Sequence, residues 1–353
     1  MTLSLRTFEL PLSHPLETAA GTIETRRGVA IRWRTADTLG VGTAEPLPGW
    51  TESYDRCVSE LQDVMRTSAN GELSLDAIDE TMPATRHGVH LARADAAARK
   101  EEQSLADALE GNGPKDVPAC GLIGAIPPGR ARRRATRLAT AGYPAIKCKV
   151  GDDLDLDVAR IEVIRRAVGP DVELRADANR GWNVEAAREA LSRLADFDVS
   201  YVEEPIRDPT PARIRRVSES EVGIAVDESI NADGDDVETW AALADVVIVK
   251  PMALGGIDRA RALARRARQH GLSVVISNTV DSVVARTAAV HLAASTAEPM
   301  AAGLATADRL ERDLAADPAP IRCGYHTIPE TPGNGTLGPW DRAAIGGGHG
   351  SNC

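Results

Sequence analysis

From about residue 117 onward one phrase recurs along the chain. A short β-branched run is followed by a polar or Gly/Pro break, then by an Ala-, Arg- and Leu-rich stretch with apolar residues at helical spacing. The runs are VPACGLIGA (117–125), PAIKCKV (144–150), DVELRAD (171–177), DVSYVEE (198–204), VGIAVDE (222–228), ADVVIVK (244–250), LSVVIS (272–277) and MAAGLAT (300–306). The helices between them are clearest at 155–168, 183–195, 256–270 and 281–295, with Asn183 and Asp281 placed as N-terminal caps. Strands alternating with helices form βα units with parallel strands, and eight such units make a closed barrel the first choice. The competing open, doubly wound sheet usually carries GxGxxG in its first βα turn, and none is present there.

The N-terminal part reads differently. Residues 1–45 alternate like strands, and 52–66 and 90–109 read as helices. We therefore expect an α+β capping domain over 1–115 and the barrel over 116–320. The segment 321–341 is too short and turn-rich for another βα unit and is expected to return to the cap; the Gly-rich tail 342–353 is expected to be flexible.

At 353 residues and 43% hydrophobic content, the chain can bury the core of one large and one smaller domain. Its net charge of −11 argues against nucleic acid or an anionic membrane as partner. No long uncharged apolar run and no basic-then-apolar leader is present, so the expected location is cytoplasmic. Whether copies of the chain form a homo-oligomer is left open. Five cysteines without a CxxC pair disfavour a disulfide framework or a zinc site.

Lysine is scarce. Only Lys100, Lys115, Lys147, Lys149 and Lys250 occur among 41 basic residues. A salt-adapted surface or a GC-rich coding bias would each favour arginine, and under either the retained lysines are informative. Arginine keeps its proton in proteins, whereas lysine can serve as a base. Lys147, Lys149 and Lys250 stand in the apolar runs AIKCKVG and DVVIVKP, and isolated cations are rarely buried without a task. Period-2 alternation turns Lys147 and Lys149 to one face and Cys148 to the other, where it packs. Like charge and a nearby metal are expected to lower the lysine pKa values.

Lys149, Asp177, Glu203, Asp227 and Lys250 each end a successive predicted strand, on the rim where barrel enzymes place their sites. One such acid alone reads as a helix cap or an ion pair. Three in succession, flanked by lysines, supply hard oxygen ligands suited to Mg²⁺, with Mn²⁺ as the alternative. Lysines opposed across a divalent ion suit removal of the proton α to a carboxylate, so a small-molecule carboxylate is the expected partner. Arg175 lies two before Asp177 and is read as supporting the site or orienting substrate.

At these residues a resemblance becomes specific. KCK (147–149), RADAN (175–179), VEEP (202–205), VDES (226–229) and IVKP (248–251) resemble the strand-end motifs of the enolase superfamily, and more narrowly of its muconate-lactonizing subgroup. The resemblance spans essentially the whole chain. It implies a modified (β/α)₇β TIM barrel under an α+β cap, metal ligands Asp177, Glu203 and Asp227, and catalytic Lys149 and Lys250. Lys147, Arg175, Asn179, Ser277 and Asn278 would bind substrate or support the site. AEPLPGWTES (44–53), LRADANRGW (174–182) and AAGLAT (301–306) are similar to segments of o-succinylbenzoate synthases, which implies Mg²⁺-dependent dehydration in menaquinone synthesis. ISNTVDSVVAR (276–286) is similar to the seventh-strand segment that receives the substrate carboxylate, with Asn278 and Thr279 in place of serines, Asp281 in place of glutamate and Ala285 in place of glycine. N-acylamino acid racemase, dipeptide epimerase and muconate cycloisomerase are the alternatives. A catalytically idle scaffold would be expected to have lost part of the constellation, and none is missing.

Overall fold

The computed structural model describes residues 2–18, 21–68, 74–109, 113–232, 237–296 and 299–341. The expected flexible tail lies outside them. In the N-terminal part β1 (Thr2–Thr18) pairs antiparallel with β2 (Gly21–Arg34), and β2 pairs antiparallel with β3 (Leu39–Ala44). The alternation of β2 turns Val29, Ile31 and Trp33 inward against α1 (Tyr54–Ser68) and α2 (Pro83–Lys100). Close approach of β3 to α2 requires glycine, because a Cβ on Gly42 would lie 2.2 Å from the Gly88 carbonyl oxygen. The chain then passes through α3 (Leu105–Ala108) and β4 (Asp116–Pro118).

The barrel follows as β5 (Cys120–Ile123), α4 (Pro128–Thr140), β6 (Ala145–Lys149), α5 (Leu154–Val168), β7 (Glu173–Asp177), α6 (Val184–Ala195), β8 (Val199–Glu203), α7 (Pro211–Ile214), β9 (Gly223–Val226), α8 (Glu228–Ala232) and α9 (Val237–Ala241). It continues with β10 (Val246–Val249), α10 (Pro251–Leu254), α11 (Ile257–Gln269), β11 (Ser273–Ile276) and α12 (Val283–Ala294). Strands β5 to β11 lie in chain order in one parallel sheet.

The expected eighth strand is reduced. Residues near 302 contact the neighbouring backbones through two bridges only, Ala119 to Ala302 and Ser277 to Gly303, which close the ring. The run ends early because the backbone folds back at Thr306, whose N–H bonds the Leu304 carbonyl. Tyr201, Ala225, Val246, Ile248 and Val275 fill the barrel interior below the rim. The outer strand faces, Cys148 included, pack against the helices. The architecture is the expected modified barrel with a small antiparallel sheet as cap. No helix among the described residues is long and apolar enough to cross a membrane.

After the barrel, β12 (Ile321–Arg322) and β13 (Tyr325–Thr327) form a small antiparallel sheet with β4. The chain then meets the N-terminal part: Asn334 N–H donates to Asp95 Oδ1 at 2.6 Å, and Trp340 stacks under Arg6 and Arg32 at 5.2 Å each.

Two helix caps differ in origin. Asn183 caps α6 as expected, its Oδ1 accepting from Ala186 N–H at 2.8 Å. Asp281 does not cap α12. The N-cap there is Ser282, and Asp281 is drawn aside by Thr279 Oγ1 at 2.6 Å and by the Arg26 guanidinium. Two remote carboxylates serve that helix start: Glu45, just past the cap's sheet, takes Ser282 N–H at 2.8 Å and Ser282 O–H at 2.5 Å, and Asp313 takes Val283 N–H at 2.8 Å.

Burial, and then the Asp281 charge, push the Glu45 carboxyl from its ordinary 4.5 up to about 7, with Arg26 and Ser282 offsetting part of the rise. The folded protein therefore holds this proton more tightly than the unfolded chain. The resulting stabilisation is complete below pH 4.5 and is lost as pH rises through about 7. Urea unfolding across that window should show the wild type losing on the order of 1–3 kcal/mol relative to Glu45→Gln. Parallel curves for the two proteins would contradict the assignment.

Candidate active site

Five adjacent strands end in charge. Lys147 and Lys149 lie on β6, Asp177 ends β7 and Glu203 ends β8, while Asp227 and Lys250 directly follow β9 and β10. Parallel pairing sets Lys149, Asp177 and Glu203 side by side in register. The positions are apolar in surroundings: Asp177 is 2% exposed, Glu203 2%, Asp227 1% and Lys250 9%. Charges so far from water must be matched by partners.

They are matched by lysine. Lys147 Nζ lies 2.7 Å from Glu203 Oε2 and 3.0 Å from Asp177 Oδ2. Lys149 Nζ lies 2.9 Å from Asp177 Oδ2 and also donates to Asn179 Oδ1. Asn179 takes a left-handed backbone at φ 42°, and its N–H returns to Asp177 Oδ1 at 3.1 Å. Lys250 donates to Asp227 Oδ2, and its ammonium sits 3.8 Å from the centre of the Trp50 ring, which the cap supplies. Among the described residues no three acidic, histidine or cysteine side chains are already gathered about one point, because the ammonium groups lie between the carboxylates.

Charge balance sets the protonation. Burial raises Asp177, but Lys147 and Lys149 overcome it and hold this carboxyl below its ordinary range. The expectation that crowding lowers the pKa values of the β6 lysines is corrected at Lys147. Burial does push Lys147 down, yet Asp177 and Glu203 outweigh it and hold the ammonium well above its ordinary value. Lys250 is likewise raised, against burial, by Asp227, Glu203 and Glu228. Asp227 itself is pushed well up by burial, with Glu203 and Glu228 opposing the pull of Lys250. Burial leads at Asp227, and at both groups Glu203 and Glu228 push the same way, an excess of carboxylate on this side of the rim. Glu228 Oε2 is buried there without a hydrogen-bond partner among the described residues. Neighbouring hard-oxygen donors with surplus negative charge fit a divalent cation.

The remaining predicted residues divide. Ser277 and Asn278 lie at the same level as Lys250, on the next strand end, where Ser277 Oγ donates to the Gly303 carbonyl at 3.2 Å and Asn278 Nδ2 to Thr306 Oγ1 at 2.9 Å. Of the two readings of Arg175, its contacts fit the supporting one. Arg175 faces inward, but its guanidinium turns away from the rim to Glu173, at 2.9 and 2.7 Å, and to the Ala301 carbonyl at 2.7 Å. Glu173, two residues earlier on the same face, claims it, so it cannot orient substrate.

Residues outside the predicted set hold the rim in shape. Arg160, from α5, donates to the Lys149 carbonyl at 2.8 Å and to Ile126 at 2.7 Å. Glu204, 1% exposed and left-handed at φ 43°, accepts from Asp227 N–H and Ser229 N–H at 2.8 Å each, and from Ser229 O–H at 2.8 Å and Arg180 Nε at 3.1 Å. The doubled acid of VEEP was the available signal for it; the backward reach to β9 was not visible.

Residues 130–337 match the family model described as enolase C-terminal domain-like. The chain belongs to this enolase family. Within it, the chain is 39% identical over 209 residues to an o-succinylbenzoate synthase of Thermobifida fusca, an alignment covering 57% of this chain and 63% of that protein. It is 26% identical over 309 residues to an N-succinyl-L-Arg/Lys racemase of Bacillus cereus, covering 83% of each. A dipeptide epimerase from Enterococcus faecalis, solved with Mg and the dipeptide L-Leu-L-Tyr, superposes with a TM-score of 0.86 at 25% identity over 95% of this chain and 98% of that one.

For this enolase-family enzyme, Glu204→Ala should lower unfolding stability by roughly 2–4 kcal/mol, since it strands two buried N–H groups and a guanidinium. Urea unfolding checks this. A loss below about 0.5 kcal/mol, the usual size for a surface change, would contradict the role.

Proposed function

We propose that the chain is an o-succinylbenzoate synthase, dehydrating 2-succinyl-6-hydroxy-2,4-cyclohexadiene-1-carboxylate to 2-succinylbenzoate in menaquinone biosynthesis. The observation that carries the reading is the pair of lysines, Lys149 and Lys250, approaching from β6 and β10 on either side of Asp177, Glu203 and Asp227. After the eighth-strand bridges the first carboxylate is Asp308, which pairs with Arg134 at 3.1 Å, and this supports a substrate without the free ammonium that a dipeptide carries. The identity to the synthase supports the same choice.

Asp177, Glu203 and Asp227 would hold Mg²⁺, with Mn²⁺ as a substitute. When bound, the ion supplies positive charge to the substrate carboxylate as it takes on enediolate character. Lys149 Nζ, held by Asp177 and Asn179 and acting as its neutral amine, takes the α-proton, and the resulting ammonium gives it to the departing β-hydroxyl. Proton and hydroxide leave together as water, and the C–H electron pair becomes the ring double bond. Lys250 stays an ammonium, hydrogen-bonded to Asp227, and lays its charge against the forming ring, as it already does against the Trp50 indole. Lys147, between Asp177 and Glu203, stays charged and spaces those carboxylates. Ser277 and Asn278 are placed to receive the substrate's polar arm.

A second reading, racemisation of N-succinylamino acids, is favoured by the racemase relative that covers 83% of each chain. Lysines on both faces of one carbon are what a two-base proton exchange needs.

Replacing Asp177, Glu203 or Asp227 by Ala should abolish turnover while circular dichroism stays native. Near wild-type activity of these variants in chelator would remove the metal from the reading. Lys149→Arg should cost about 10²–10⁴ in kcat, the usual worth of a general base. Lys250→Arg should retain part of the dehydration but no racemisation, since a permanent cation still stabilises the enediolate. Dehydration surviving in Lys149→Arg and lost in Lys250→Arg would reverse the two roles.

A further inference from the structure

The loop carrying Ser277 and Asn278 is strained. Val280, β-branched, adopts φ 62°, in the left-handed region that such side chains avoid. A conformation of this kind persists only where its surroundings over-determine it. Its own loop supplies one contact, Val280 N–H to Asn278 Oδ1 at 3.2 Å. Beside it Thr279 Oγ1 donates to Asp281 Oδ1 at 2.6 Å, and from the barrel side Arg286 donates to the Asp281 carbonyl at 3.1 Å; the restraints on the Val280 carbonyl and on Ser282 come from the N-terminal part of the chain. Arg26, on β2 and 1% exposed, donates from Nε to the Val280 carbonyl at 3.2 Å, and its Nη2 lies 3.7 Å from Asp281 Oδ1. The same guanidinium donates to the Glu45 carbonyl at 2.8 Å and the Pro46 carbonyl at 2.9 Å, at the root of the loop that carries Trp50. Glu45 takes both donors of Ser282, and the Val280 side chain packs beside Leu10 and Leu12 of β1.

We propose that Arg26 is a positioning residue that locks the Trp50 loop and the Ser277–Asn278 loop into one unit, holding Val280 in its left-handed conformation so that Asn278 faces the substrate. Neither loop can shift without breaking a bond to the shared guanidinium. Lysine cannot replace it, because one ammonium lacks the planar fork that reaches three carbonyls and a carboxylate. Lys149 lies outside this unit and Lys250 meets it only through the face of the Trp50 ring, while its bond to Asp227 is independent of Arg26, so the effect falls mainly on substrate placement. The kinetic consequence rests on the function proposed above; the structural one does not.

The test compares the wild type, Arg26→Lys and the double variant Arg26→Lys/Val280→Gly, by kinetics on the cyclohexadiene substrate and by amide hydrogen exchange of residues 279–284. Arg26→Lys should raise KM by about tenfold or more with kcat changed less than about threefold, and should speed exchange in that loop. Glycine adopts φ 62° without strain, so adding Val280→Gly should recover both KM and protection. Unchanged KM and exchange in Arg26→Lys would overturn the proposal, as would failure of Val280→Gly to recover either. If Arg26→Lys does not fold, a folded double variant with a protected loop supports the proposal and an unfolded one overturns it. If the wild type does not turn over this substrate, the function reading fails and the exchange measurement alone decides the role of Arg26.

Discussion

Everything at the rim depends on how buried charge is compensated. Three carboxylates on neighbouring strands would repel one another severely in so dry a place. The lysines between them are what allow the strands to end there. The compensation is incomplete on the β8–β9 side, where Glu203, Asp227 and Glu228 face Lys250, and the surplus is what makes the place receptive to a cation. A barrel floored by Tyr201, Val246 and Ile248 could not present these groups if its strands shifted register by one residue, because each would then point into the helix layer.

The period-2 and helical patterns made the barrel strands legible, and the strand ends with them. Lys149, Asp177 and Glu203 end runs whose alternation leaves no choice of face. The eighth strand was over-read, since MAAGLAT is apolar enough for a strand but folds back at Thr306. Arg175 shows the limit at the site. Alternation correctly turns it inward, but which end of the barrel it serves depends on Glu173, and two side chains on one face are equally consistent with either direction. The pKa direction expected at Lys147 failed for a related reason. Spacing shows that Lys147 and Lys149 are neighbours, whereas the distances to Asp177 and Glu203, which decide the sign, are set by pairing across strands.

The caps and clamps were legible least. Asp281 occupies the sequence position of an N-cap, and only the fold reveals that Glu45 and Asp313, both far away in the chain, do that work while Asp281 turns to Thr279 and Arg26. Glu204, Arg160 and Arg26 are of the same kind. Each is a charged residue whose partners are backbone groups of remote segments, and such partners leave no periodic trace.

All twelve residues of α12 are buried, His291 and Arg286 included. A barrel helix ordinarily keeps one face for water, and this one has none, because β3, α3, β4 and the chain from Asn334 cover what the barrel does not. The barrel of this protein therefore has no autonomous outer surface along α12. Removing the N-terminal part would not uncover an enzyme with its lid off but expose an apolar helix to solvent, so changes in this family member's cap must proceed through its loops while the sheet and helices beneath them stay in place.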